Sequence, residues 1–402
     1  MLTNSNSRFV AMLALAVLLS AATQAAAQAG QLDTTFGNGG IAITDFGVQY
    51  QQDIAAVGGI AIQTDGKIVV AGGVPSSNGN GFPSFAVARY ETNGSLDTTF
   101  GKGGIAITPS LVGSFTCVAI QPDQKIVAAG GEDVVRYNSN GSLDSSFGKA
   151  GIVSFAEPFA VSAIAIQTNG TIGLAAGNQL FILSSTGQGV DHRLPASTAS
   201  SVAALPNGEF LVGTSTPSFV FRYTSSGQLD TTFAINGQLP TPGPANALAL
   251  PANGDILVAG TLPSMTPGPT LGFVLSSYKD VGIADPGFAT NGGIETALSG
   301  LPIMATTGLA IEPTTGAVVV SGTANNGTEE AFGLVRYTAA GQLDSSFGTD
   351  GTVVTSFGSS FATDSGLAIQ SDGKIVVAGT LLTAQPHGGT DTALVVARYL
   401  AQ

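Results

Sequence analysis

One short phrase returns along the whole chain, and only a fold made of repeating units can accommodate it. It reads Leu32-Asp33-Thr34-Thr35-Phe36-Gly37 and recurs as Leu96-Asp97-Thr98-Thr99-Phe100-Gly101, Leu143-Asp144-Ser145-Ser146-Phe147-Gly148, Leu229-Asp230-Thr231-Thr232-Phe233 and Leu343-Asp344-Ser345-Ser346-Phe347-Gly348. Degenerate copies at Asp191 and at Asp285-Pro286-Gly287-Phe288 bring the count to seven. A second phrase alternates with it: Ala61-Ile62-Gln63-Thr64-Asp65-Gly66-Lys67-Ile68-Val69-Val70-Ala71-Gly72 is echoed from Ala119, Ala165, Ala203, Ala249, Ala310 and Ala368. Two β-rich runs joined by Asp-Gly or Asn-Gly predict a two-residue hairpin with both central residues at positive φ.

A third run such as Phe85–Tyr90 precedes each Leu-Asp turn after the first, and a fourth such as Gly104–Thr108 follows most of them. Four short strands per unit of roughly 40–60 residues describe one propeller blade. The expected fold is therefore all-β: a seven-bladed β-propeller with four antiparallel strands per blade. With 55 Gly and only 10% charged residues, the composition suits tightly turning, buried strands.

A fixed interval supports this. Arg89 precedes Asp97 by eight residues, and the same step separates Arg136 from Asp144, Arg222 from Asp230 and Arg336 from Asp344, which predicts a local charge-assisted pair at each turn. Two ends are left over: Asp33 has no upstream arginine and Arg398 no downstream aspartate. Pairing them closes the ring, with the N-terminal strand joining the C-terminal blade and removing the exposed sheet edges.

Before the repeats, Arg8, the apolar run Phe9–Leu19 and the small residues up to Ala27 have the layout of a cleaved secretory signal peptide, 1–27. Residues 28–402 then form a single propeller domain, secreted or periplasmic, with no membrane span after signal removal and monomeric. Removal takes away only Arg8, so the mature chain is one charge more negative than the −13 of the whole. That balance argues against nucleic acid as a partner. The single Cys117 forms no internal disulfide and is expected to be buried and inert.

These phrases resemble the bacterial delta-60 repeat family, over residues 30–400. The resemblance implies a β-propeller found mostly in exported proteins, and implies no activity for particular residues. The copies at Asp191, Ala203 and Asp285 depart from its pattern.

The search for chemistry finds framework. Nearly every basic residue of the mature chain recurs in register, whereas a catalytic base or electrophile is expected to be unique. No Gly-x-Ser-x-Gly, His-Glu-x-x-His or phosphate-binding loop is present, and no Asp-x-Asp-x-Asp-Gly loop that would hold calcium. No catalytic residue, metal or cofactor is assigned. Asp191-His192-Arg193 is read as a solvated turn.

In a four-stranded blade the two repeated turns fall on one face and the variable connections on the other, so function belongs to the variable face. Residues 74–83, 262–271, 324–331 and 381–392 are the long connections there, on the first, fifth, sixth and seventh blades. They carry Glu329, Glu330, His387 and Asp391, joined by Tyr50, Asp53 and Asp364 from the adjoining connections. The expectation is a non-enzymatic binding module for a protein, glycan or cationic ligand. The alternative is a propeller hydrolase or lyase using those carboxylates.

Overall fold

The computed structural model describes residues 28–45, 56–74, 83–155, 160–195, 197–262, 272–298, 301–325, 328, 330–358, 360–384 and 390–402. The expected signal segment 1–27 lies outside them. Among the described residues, twenty-eight strands form seven four-stranded antiparallel sheets. Blade 1 comprises Ala56–Ile62, Ile68–Val74, Ser84–Tyr90 and Ile105–Val112 in that order. Blades 2 to 6 repeat the plan, starting at Cys117, Val161, Ala199, Ala247 and Ile303. The first strands of successive blades pack on one another around the complete ring, so they surround the axis and the fourth strands form the rim.

Blade 7 closes the ring. Its first three strands, Phe361–Ile369, Ile375–Ala384 and Thr390–Tyr399, are completed by the N-terminal strand Ile41–Asp45, with Ile41 opposite Ala397 and Asp45 opposite Ala393. The second and third strands of blade 1 are buried at every position because both sheet faces lie against neighbouring blades. Among the described residues seven apolar clusters fill the interior, several of them spanning adjoining blades: one joins Val69 and Phe85 to Ile126 and Tyr137.

Two local expectations change. At the first repeated hairpin only Gly66 has positive φ (83°), while the Gly66 N–H donates to Gln63 O and the Lys67 N–H to Asp65 Oδ1. The turn is a negative-φ turn followed by a left-handed residue, which is why Gln124 can fill the Gly66 position at φ 66°. Asp191, read as a degenerate copy of the Leu-Asp turn, instead lies in the outer strand Gly189–Arg193 of blade 3, opposite Phe181. That blade joins its last two strands by a short turn at 184–188, so His192 sits in a strand as well, not in a solvated turn.

Candidate functional site

The repeated charges are used between blades as well as within them. In five blades an arginine of the third strand meets the turn aspartate at 2.6–2.9 Å: Arg89–Asp97, Arg136–Asp144, Arg222–Asp230, Arg336–Asp344 and, across the ring closure, Arg398–Asp33. Each guanidinium stacks 4.6–4.8 Å from the phenylalanine of the same turn, Phe100, Phe147, Phe233, Phe347 or Phe36. Its Nη1 donates to a carbonyl in the next blade's turn: Ser139, Ser185, Asp280, Ala401 or Thr92. Burial opposes ionisation of Asp97. The Lys67 ammonium, the Thr99 hydroxyl and N–H, and the Arg89 charge outweigh it and hold the carboxyl well below its ordinary range.

A second stitch joins the hairpin turns. Gln63, Gln121, Gln167 and Gln370 each donate to a carbonyl in the following blade: Gln124, Gly170, Glu209 and Gly66. Glycine supplies the close approach. A side chain at Gly94 would strike the Gly37 N–H and crowd Phe36 of the preceding turn, and one at Gly141 would strike the Gly101 N–H and crowd Phe100. At Gly227 the atom met is His192 Nε2, so His192 occupies the place that phenylalanine holds elsewhere.

The opposite face is lopsided. The hairpin ends of the second and third strands are in register across blades, with Ile68 opposite Tyr90, Ile126 opposite Tyr137 and Ile375 opposite Tyr399. These strands run five residues in blades 2, 3 and 4, eight in blade 6 and ten in blade 7. At about 3.3 Å per residue, blade 7 rises about 17 Å further than blades 2–4 on the variable side. Half-buried Glu330 and exposed Asp391 sit on this wall, and the Glu330 carboxylate accepts from Asn325 Nδ2 at 2.7 Å. Glu329, His387, Tyr50 and Asp53 lie outside the described residues, as do most of 74–83 and 262–271 and parts of 324–331 and 381–392.

Asp364 is elsewhere than expected. It belongs to no connection but to the innermost strand of blade 7, 4% exposed, with its N–H donating to Thr323 Oγ1 of blade 6 at 3.0 Å. The strand bulges between Asp364 and Gly366, which tucks the carboxylate between blades 6 and 7. Its Oδ1 accepts the Gly366 N–H at 2.7 Å, whereas Oδ2 and the buried Ser321 hydroxyl have no well-formed hydrogen bond. Burial pushes its pKa up to about 6, with the Ser321 hydroxyl, the Gly366 N–H and the Thr307 hydroxyl offsetting part of the rise. Val57, Phe115, Val161, Ala199, Ala245 and Thr306 occupy the matching place in the other blades. Superposing the seven first strands on paper would have singled out Asp364 as the one charge there. Cys117 is buried in the first strand of blade 2, its thiol pushed up to about 12 by burial. Among the described residues no group of three or more His, Cys, Asp or Glu side chains could hold a metal ion. No helix there is long and apolar enough to cross a membrane.

A family model described as "Domain of unknown function (DUF5122) beta-propeller" matches residues 63–100, 121–147, 208–233, 315–347 and 370–402, supporting a β-propeller repeat. The unmatched stretches hold blades 3 and 5, the two without the stacked arginine. No curated protein sequence matches. Among solved structures the chain is similar to a catalytically inactive virginiamycin B lyase from Staphylococcus aureus with quinupristin, at 13% identity and TM-score 0.51 over 89% of this chain and 99% of that one. It is also similar to the WD40 repeats of RRP9, at 9% identity and TM-score 0.56 over 89% and 97%. At such identities the likeness is one of fold alone.

Proposed function

We propose that this chain is an exported binding module of the delta-60 repeat type, released after cleavage behind Ala27, that presents its raised wall to a protein, glycan or cationic ligand. The carrying observation is the strand-length asymmetry: blades 6 and 7 extend well beyond blades 2–4 on the face away from the repeated turns. A framework needs no such wall, because the ring closes below it. The wall also carries Glu330 and Asp391 on a chain already strongly acidic, which favours cationic groups on the ligand.

The test replaces residues 385–389 by Asn-Gly and, separately, reverses charge with Glu330→Lys and Asp391→Lys. Each variant is checked for folding by circular dichroism and used as bait against the secreted fraction and a glycan array. The reading expects partners to be lost with the melting temperature nearly unchanged. Identical binding profiles for wild type and all three variants would sink it.

A further inference from the structure

Blade 5 retains a guanidinium's surroundings without the guanidinium. Asp285 and Phe288 hold the places of the turn aspartate and phenylalanine, and the Ala339 carbonyl of blade 6 holds the place of Ser139 or Thr92. The arginine position is Ser277, 1% exposed. Five of the six other blades hold an arginine side chain here; beside Ser277 a cavity of about 420 Å³ lies between blades 5 and 6, bordered by Asp285, Phe288, Pro251, Ala339 and Glu312, whereas the hollow of about 460 Å³ at the blade 7–blade 1 seam has Arg398 in its wall.

Charge is missing as well as volume. In blade 1, Lys67 bridges Glu91 and Asp97 at 2.9 and 2.7 Å while Arg89 meets the same Asp97 Oδ2, so two cations face two anions. Blade 5 has the same triangle with two charges exchanged: Asp255 stands where Lys67 does, Lys279 stands where Glu91 does, and Lys279 reaches Asp255 at 3.0 Å and Asp285 at 2.7 Å. Without an arginine this leaves one cation against two anions. Glu312, buried on the blade 6 side, adds a third carboxylate where blades 1, 2, 3 and 7 have glutamine.

Blade 3 is the internal control. There Ile182 replaces the arginine, and the turn aspartate and phenylalanine are gone with it, so the set was lost together. Of the stacked set itself, blade 5 lost the arginine and kept the carboxylate, the ring and the neighbouring carbonyl.

We propose that the seam between blades 5 and 6 is a binding socket for an external guanidinium group, on a small guanidino compound or on the arginine side chain of a peptide. The carboxylate would take its N–H groups, the Phe288 ring its face, and the Ala339 carbonyl its outer edge, as the five internal arginines are held. This socket is on the turn face, opposite the raised wall, and is independent of the function proposed above.

Titration calorimetry on the mature full-length chain tests it with agmatine for the small-molecule source and Gly-Arg-Gly for the peptide source. Putrescine and citrulline serve as the amine and neutral controls. At least one guanidinium probe is expected to bind with 1:1 stoichiometry and at least tenfold more tightly than either control. Binding of agmatine alone assigns a small ligand, and binding of the peptide assigns an arginine side chain. Asp285→Asn is expected to weaken it at least tenfold, and Ser277→Arg to abolish it by supplying the group internally. Should Ser277→Arg fail to fold, Ser277→Gln fills the space without charge and is expected to block equally. Lack of saturable binding by both probes at millimolar concentration overturns the proposal, as does putrescine binding equally well or binding unaltered by these substitutions.

Discussion

The seam between blades 1 and 2 and the seams on the far side of the ring are built from one repeat, yet they hold together differently. Between blades 1 and 2, Arg89 binds Asp97, stacks on Phe100 and donates to Ser139, while Gln63 reaches Gln124. Between blades 5 and 6 the arginine and glutamine positions are Ser277 and Pro251; the Ala289 N–H still donates to Ala340 O at 2.8 Å on the turn face, and further along the seam Thr306 bonds Thr261 and the Tyr337 hydroxyl donates to Thr296. Between blades 6 and 7 the turn-face arginine is kept, but Asp364 and Ser321 replace apolar packing near the axis. A repeat fold tolerates this because each blade touches only its neighbours, so a weak seam is carried by the closed ring. Departures from the framework therefore occur both in the low blade 3 and on the far side, and only the far side also carries the raised wall.

The largest effect should come from breaking the furnished seam. Arg89→Ala leaves Asp97 buried beside a single lysine and is expected to lower the unfolding free energy by about 3–5 kcal/mol. Ser277→Ala should change it by less than about 0.5 kcal/mol. Urea unfolding of both variants checks the contrast, and comparable losses would erase it.

Next is the carboxylate near the axis. A folded pKa raised from 3.8 to about 6 means the native state holds a proton that the unfolded chain has lost between those pH values. Stability therefore falls as pH rises from 4 through 6, by about 3 kcal/mol in total. Asp364→Asn is expected to recover up to about 3 kcal/mol at pH 8 and almost nothing at pH 4, read from melts across that range. The turn-face aspartates act in the opposite sense. Asp97 and Asp144, held low, stabilise the fold above about pH 4 and lose that contribution as pH falls further. A gain from Asp364→Asn that is the same at pH 4 and pH 8 would place the cause in packing instead of ionisation.

The smallest effect sharpens the role of the glutamine stitch. Gln63→Leu removes one hydrogen bond to the neighbouring hairpin turn and should cost about 1 kcal/mol, roughly the net worth of a single bond. Blade 4 already has Leu205 in that position.

Much of this was legible beforehand, for reasons that differ by residue. The turns announce themselves because Asp33, Asp97 and Asp144 bind their own chain two residues on, at Thr35, Thr99 and Ser146, a local geometry that leaves a local motif. The eight-residue arginine step was visible for the same reason. Asp191 misled because its blade had replaced a turn by a strand, and one aspartate without its following phenylalanine carries too little of the phrase. Asp364 was assigned to a connection because the bulge that buries it changes the alternation of a strand by one residue. The empty arginine position in blade 5 was likewise present in the repeats but had no meaning until the arginines' partners were known.

The sequence by itself determined the number of blades, the four strands in each and the closure, because these follow from short-range turns and from counting two unmatched ends. Only the tertiary structure decided which groups meet across a seam. Arg89 reaches Ser139 and Arg398 reaches Thr92, the second separated by 306 residues, and no spacing along the chain encodes such a contact. It arises from the lateral packing of one twisted sheet on the next, which brings a side chain's length of one blade over the turn of its neighbour.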